Sequence, residues 1–137
     1  MKGGVVFRVG EARYFLPATT ASKVLPMPAV ARVPGAPVDL VGVALVEGEM
    51  VPVVDLGVSD APPSRRAVTQ ARPRTDHRPM LVCTCLGERL GLVGLEVLAT
   101  GLFEPTRGES VMHEGLEAPV FDVAAVVGRL RDSRWAV

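Results

Sequence analysis

This chain has no excess of charge of either sign. Its 137 residues carry 15 basic and 15 acidic side chains, for zero formal net charge. A balance of this kind argues against a protein whose main task is to grip nucleic acid or an anionic membrane. Aromatic residues make up only 4% of the chain, which leaves few flat platforms for stacking bases or sugars. Cysteine is scarce too. Cys83 and Cys85 stand as C-x-C, a spacing at which a mutual bridge is awkward, and with no third cysteine there is no disulfide framework. Reduced thiols fit a cytoplasmic address. Long apolar runs are also absent: the longest, Val38 to Val46, contains Asp39 and is far short of the ~20 residues of a membrane helix. The opening MKGGVVFRVGEARYFLP is interrupted by Arg8, Glu11 and Arg13, so it does not read as a secretory signal.

The usual carriers of chemistry are thin as well. An enzyme needs an activated nucleophile, an acid/base pair or a metal. The only two histidines, His77 and His113, lie in polar surroundings and read as solvent-exposed. Cys83 and Cys85 share one face of a strand with Leu81, as buried small hydrophobes do. C-x-C with two scattered histidines is a poor zinc set. The glycines sit singly at turns, without a phosphate-cradling loop. Asp39, Asp55 and Asp122 stand at element ends, where capping or turn formation explains them. The sequence therefore predicts no cofactor, no metal and no enzymatic activity.

What is present is valine, glycine and proline in short runs. VVFRV (5–9) and ARYFL (12–16) flank Gly10-Glu11 and read as a hairpin, with Val5, Phe7 and Val9 on one face and Val6 and Arg8 on the other. The five prolines of PATTASKVLPMPAVARVPGAP predict short strands and turns, because proline removes a ladder donor and fixes φ. VGVALVEGEMVPVVDL (41–56) predicts two strands about Glu47-Gly48-Glu49, both rich enough in β-branched residues to be buried on two faces. Residues 57–79 change texture: Arg65, Arg66, Arg72, Arg74 and Arg78 make a basic connection between two halves. The second half repeats the first in MLVCTCL (80–86) and RLGLVGLEVLATGLFE (89–104). A polar loop at 105–117 and a short strand from Ala118 to Phe121 follow. Only the end is helical: Asp122 is a good N-cap, and Val123, Val126, Val127 and Leu130 fall at helical spacing, a stripe most simply used to cover the open end of a barrel.

ARVPGAPVDLVGVALVEGEMVPVVDL (31–56) carries a longer pattern. Val33-Pro34-x-Ala36-Pro37, then Gly42-Val43, then Gly48-x-x-Val51-Pro52-Val53-x-Asp55-Leu56 resembles the signature of the CheW-like family of chemosensory adaptors. VVFRVGEARYFLP, RLGLVGLEVLAT and APVFDVAAVVGRL resemble the family's opening hairpin, second-half strands and closing helix in the same order. The resemblance implies a mainly β fold of two intertwined, SH3-like, five-stranded barrels with a short C-terminal helix. It places a first lobe at about 15–80, a second at about 81–121 completed by the N-terminal segment, and the helix at about 122–131. The implied role is a non-enzymatic cytoplasmic scaffold in bacterial signal transduction. It would couple the signalling tip of a methyl-accepting chemoreceptor to the regulatory domain of a CheA-type histidine kinase, reaching the membrane only through these partners. By position, the implied partner surface includes Ala21, Lys23, Val24, Arg32, Val33, Leu45, Glu47, Gly48 and Gly91.

Two signature charges are reversed. The family's Glu and Arg are replaced by Lys23 and Glu47, and Leu45 stands where Asn is usual. If the ordinary residues pair, Lys23 and Glu47 can form the same bridge with opposite polarity, and reversed charges repel what the ordinary adaptor attracts. The family's second-half acid has also slipped, to Leu95-Glu96-Val97. Two alternatives follow: an accessory protein that binds receptor but not kinase, and a small β-barrel nucleic-acid binder using Arg65–Arg78.

Overall fold

The computed structural model describes residues 1–34, 40–59 and 79–132. The expected first hairpin is present. β1 (Lys2–Val9) turns at Gly10-Glu11 into β2 (Ala12–Pro17), with Val5 opposite Leu16 and Phe7 opposite Tyr14. The second expected hairpin pairs β5 (Leu40–Val46) with β6 (Glu49–Asp55) through a turn in which Glu47 and Gly48 both have positive φ, 51° and 80°. That two-residue turn has the hand that matches strand twist.

Between them lie β3 (Ala21–Leu25) and β4 (Val30–Ala31), and after them a single helical turn, α1 (Leu56–Ser59). β7 (Met80–Cys85) and β8 (Glu88–Val93) complete a six-stranded sheet in the order β3-β7-β8-β6-β5-β4. The two edge strands are neighbours in sequence, and this forces the sheet to roll up. Five strand spacings of about 4.8 Å would hold the edges ~24 Å apart in a flat sheet. The five Cα steps from Leu25 to Val30 reach at most ~18 Å. β3 and β4 also run in the same sense, so residues 21–31 act as one kinked strand, pairing first with β7 and then with β5. Pro26 and Pro28 sit at the kink, where neither β7 nor β5 needs their missing N–H.

The second barrel is built from β1 and β2, β9 (Glu96–Phe103), which pairs with β1, and the hairpin β10 (Val111–His113) with β11 (Leu116–Ala118). Two expectations change here. The polar loop at 105–117 contains that hairpin, whose three-residue strands are too short for an alternating pattern to show. Of the strand expected over Ala118–Phe121, Ala118 ends β11 and the rest is one bridge between Val120 and Phe15, held by Phe15 N–H to the Pro119 carbonyl (2.8 Å) and Phe121 N–H to the Phe15 carbonyl (3.0 Å). Pro119 has no N–H to extend it. The observed first sheet also runs through the lobe boundary expected near residue 80, because β7 and β8 bond to β3 and β6.

Three apolar clusters follow from this topology. Val30, Ala44, Val46, Val51, Val53, Met80, Val82 and Val93 fill the first barrel. Val6, Phe15, Phe103, Val111 and Ala118 fill the second. Between the barrels lies the largest, with Val5, Phe7, Leu16, Val54, Leu81, Cys83, Leu90 and Leu92. Alternate residues of β7 thus serve different cores, Met80 and Val82 one, Leu81 and Cys83 the other. Each fully buried Leu or Val contributes about 1.5–3 kcal/mol, so the shared cluster locks the barrels together. The helix α2 (Val123–Asp132) lays Val123, Val126 and Val127 on this shared core rather than on a barrel mouth. Asp122 Oδ1 accepts from Ala125 N–H at 3.0 Å, the expected cap. Just before it, Phe121 joins Phe7 and Tyr14 in a ring trio with centroids 5.3–5.7 Å apart.

Candidate partner-binding surface

One end of the first barrel gathers most of the residues expected at a partner surface. β3 is a sheet edge, with Ser22 and Val24 exposed and Lys23 half-buried. Lys23 reaches across to the β5–β6 turn and donates to Glu47 Oε1. The reversed pair therefore exists. It is not alone, because Arg89 on β8 donates to the same Glu47 oxygen at 3.2 Å and to Glu49 Oε2 at 3.4 Å. Two bases and two acids from β3, β6, β8 and the turn form one network over the barrel end. The Lys23 hydrogen bond, followed by that of Arg89, holds the Glu47 carboxyl below its ordinary range.

Beside the network, Leu45 and Met50 stand directly opposite each other across β5 and β6, both exposed. Gly48 occupies the turn itself. Arg32 is exposed and Val33 half-buried in the segment that follows β4. Gly91, also expected at the partner surface, lies away from the exposed rim. It is buried in mid-β8, where an added Cβ would lie 2.4 Å from Met80 Sδ, so close packing requires a glycine there. Arg89, Glu49 and Met50 were missed. Their only signal in the sequence is a base and an acid at strand starts, and the Arg89–Glu47 contact joins positions 42 apart.

The signature motif has structural roles. Gly42 lies against β4 so closely that a Cβ would meet the Ala31 carbonyl oxygen at 2.1 Å. Val51 and Val53 fill the first barrel, and Val54 and Leu56 the shared core. Asp55 Oδ1 accepts from Gly57 N–H at 2.9 Å and packs against Gly94, where an added Cβ would be only 2.1 Å away, so the acid holds the end of β6 against the chain leaving β8. The slipped acid Glu96 pairs with Arg8 across β1 and β9.

Cys83 is buried and Cys85 half-buried, and burial, with the neighbouring Cys85, pushes the Cys83 thiol up to about 12. His113 is half-buried rather than exposed: it lies 6.2 Å from the Phe103 ring, and Arg13 donates to its Nδ1 (2.7 Å) and its carbonyl (3.3 Å), clamping β10 to β2. Among the described residues no group of three His, Cys, Asp or Glu could hold a metal, and no helix is long and apolar enough to cross a membrane. Asp39, His77 and Arg65–Arg78 lie outside the described residues.

A pair of small β-barrels fused through a shared core, with a charged and apolar rim at one end, has the architecture of a binding scaffold. The family model described as the CheW-like domain matches residues 3–100, and the chain belongs to that family. Its fold is similar to the crystal structure of the scaffolding protein TtCheW from Thermoanaerobacter tengcongensis, with a TM-score of 0.64, 17% identity and 88% of each chain covered. No curated protein matches the sequence. The family is one of scaffolds and adaptors in chemotaxis, and that broad role extends to this chain.

Proposed function

We propose that the protein is a non-enzymatic adaptor that couples chemoreceptors to a CheA-type histidine kinase. The family match over residues 3–100 carries this reading. The partner surface comprises Ala21, Lys23, Val24, Arg32, Val33, Leu45, Glu47 and Gly48. In this reading the apolar side chains supply affinity, and the Lys23–Glu47–Arg89 network sets register and partner choice. The protein works in the cytoplasm at receptor arrays, held there by its partners.

Calorimetric titration against two fragments encoded in the same genome tests this. One is the kinase's CheW-like regulatory domain, the other the receptor signalling tip. Binding to both supports the coupling role, and binding to neither refutes it.

The reversed polarity of Lys23 and Glu47 favours one alternative, an accessory component that binds receptor without kinase. Heat on titration with the receptor tip alone would select it. The nucleic-acid reading depends on Arg65–Arg78 alone; binding that collapses with salt and vanishes when those arginines are removed is its requirement.

A further inference from the structure

The rim also specifies the chemistry of what it binds. β6 and β8 run parallel, so the turns that precede them, Glu47-Gly48 and Leu86-Gly87, lie at the same end of the first barrel. Each turn holds a non-glycine residue in the left-handed region, Glu47 at φ 51° and Leu86 at φ 55°. Leu86 is nevertheless 65% exposed, as is Leu45, and Met50 is 59% exposed. Three large apolar side chains therefore stand in solvent on two adjacent hairpin tips.

The charges among them are sorted by depth. The side chains of Glu47 and Glu49 are 57% and 56% exposed, while those of Lys23 and Arg89, which hold them, are 34% and 22% exposed. The carboxylates stand outermost and the cations lie beneath. Although the whole chain is neutral, this end exposes Leu45, Met50 and Leu86 together with two carboxylates that are more exposed than the two cations holding them.

We infer that this end of the barrel docks a partner protein whose contact face carries an apolar ridge flanked by Lys or Arg. Such side chains reach Glu47 and Glu49 without displacing Lys23 or Arg89, whereas an acidic flank meets both carboxylates first. The inference deepens the adaptor reading and rests on it for the use of this rim in the cell.

The test uses the full chain, isotope-labelled for amide NMR, and two synthetic amphipathic helical peptides. Both peptides have the same leucine face; one is flanked by lysine and the other by glutamate. The lysine peptide is expected to bind about tenfold more tightly, with shifts concentrated at residues 45–50 and 86–89. Leu45→Ser with Met50→Ser, at positions already in water, is expected to weaken it about tenfold. Glu47→Lys with Glu49→Lys is expected to reverse the preference, with a wild-type-like spectrum away from the rim confirming the fold. Equal affinity for the two peptides, preference for the glutamate peptide, shifts elsewhere, or no binding of either overturns the inference. The adaptor reading fails separately, on the kinase and receptor fragments, and a rim that discriminates the peptides survives that failure.

Discussion

Replacing Gly91 with alanine is expected to destabilise the fold while leaving partner affinity intact. Gly91 is held on both sides, by Val82 of β7 and by Val53 of β6, so its backbone cannot retreat without breaking a ladder. An added methyl carbon would lie 2.4 Å from Met80 Sδ and 3.0 Å from its Cγ, well inside the ~3.5–4.0 Å of ordinary contact. Met80 is fully buried, so it must re-pack within the first barrel rather than swing into water. Overpacking of this kind costs about 1–3 kcal/mol. Against it stands about 0.5–1 kcal/mol from the reduced freedom of the unfolded chain, which alanine realises here because Gly91 does not need a positive φ. The net loss lies between about 0 and 2.5 kcal/mol, centred near about 1 kcal/mol.

In a urea titration followed by circular dichroism, with a slope of roughly 1–3 kcal/mol/M, a loss of about 1 kcal/mol lowers the midpoint by on the order of 0.3–1 M. Met80→Val removes the clashing atoms. The double variant is therefore expected to be more stable than the two singles predict, with a coupling of about 1 kcal/mol. Simple additivity would refute the packing account. A normal midpoint with weakened partner binding would return Gly91 to the interface.

Glu47→Arg is expected to weaken or re-direct partner binding without unfolding the protein, and unchanged affinity for every cognate partner counts against it. Lys23→Glu combined with Glu47→Arg should recover more than the singles predict, but incompletely, because Arg89 then faces a like charge; recovery should improve in an Arg89→Gln background, and a double-mutant cycle reads this directly. For Cys83, raised from the ordinary 9.0 to about 12, the stabilising contribution is complete below pH 9 and is lost as pH climbs toward 12, at about 1.4 kcal/mol per pH unit. Stability measured from pH 9 upward should therefore fall less steeply in Cys83→Ala, and in the wild type a thiol reagent should modify Cys85 before Cys83. Asp122→Ala should cost about 1 kcal/mol by removing the cap of α2, read as a lowered midpoint.

What the sequence revealed of the fold follows the length of each pattern. β1, β2, β5, β6 and α2 were legible because each shows several turns of its own period, with a glycine-bearing turn or an aspartate cap at the boundary. β10 and β11 were not, since three residues such as Val111-Met112-His113 cannot display alternation. Which barrel takes β7 and β8 was illegible for a different reason. Strands buried on both faces read as continuous apolar runs, so Met80-Leu81-Val82-Cys83 says that two cores are touched without saying which. The resemblance supplied the two-barrel architecture that periodicity could not.

The site divides along the same line. Lys23 and Glu47 were paired in advance because two reversed charges at positions of one signature suggested compensation. Arg89 had no such companion, and nothing local in Gly87-Glu88-Arg89 points across the barrel to Glu47. Its presence alters the meaning of the reversal. A simple exchange of Lys23 with Glu47 would keep one bridge and change only its direction. With Arg89 on the same carboxylate and Glu49 on the same guanidinium, polarity becomes a property of four side chains on three strands and a turn. Position 47 alone then cannot restore the ordinary polarity, since an arginine there would lie against Arg89 and leave Glu49 outermost. A partner suited to this rim must accordingly match the whole network, and its own charges are expected to differ from those of an ordinary adaptor's partner at more than one position.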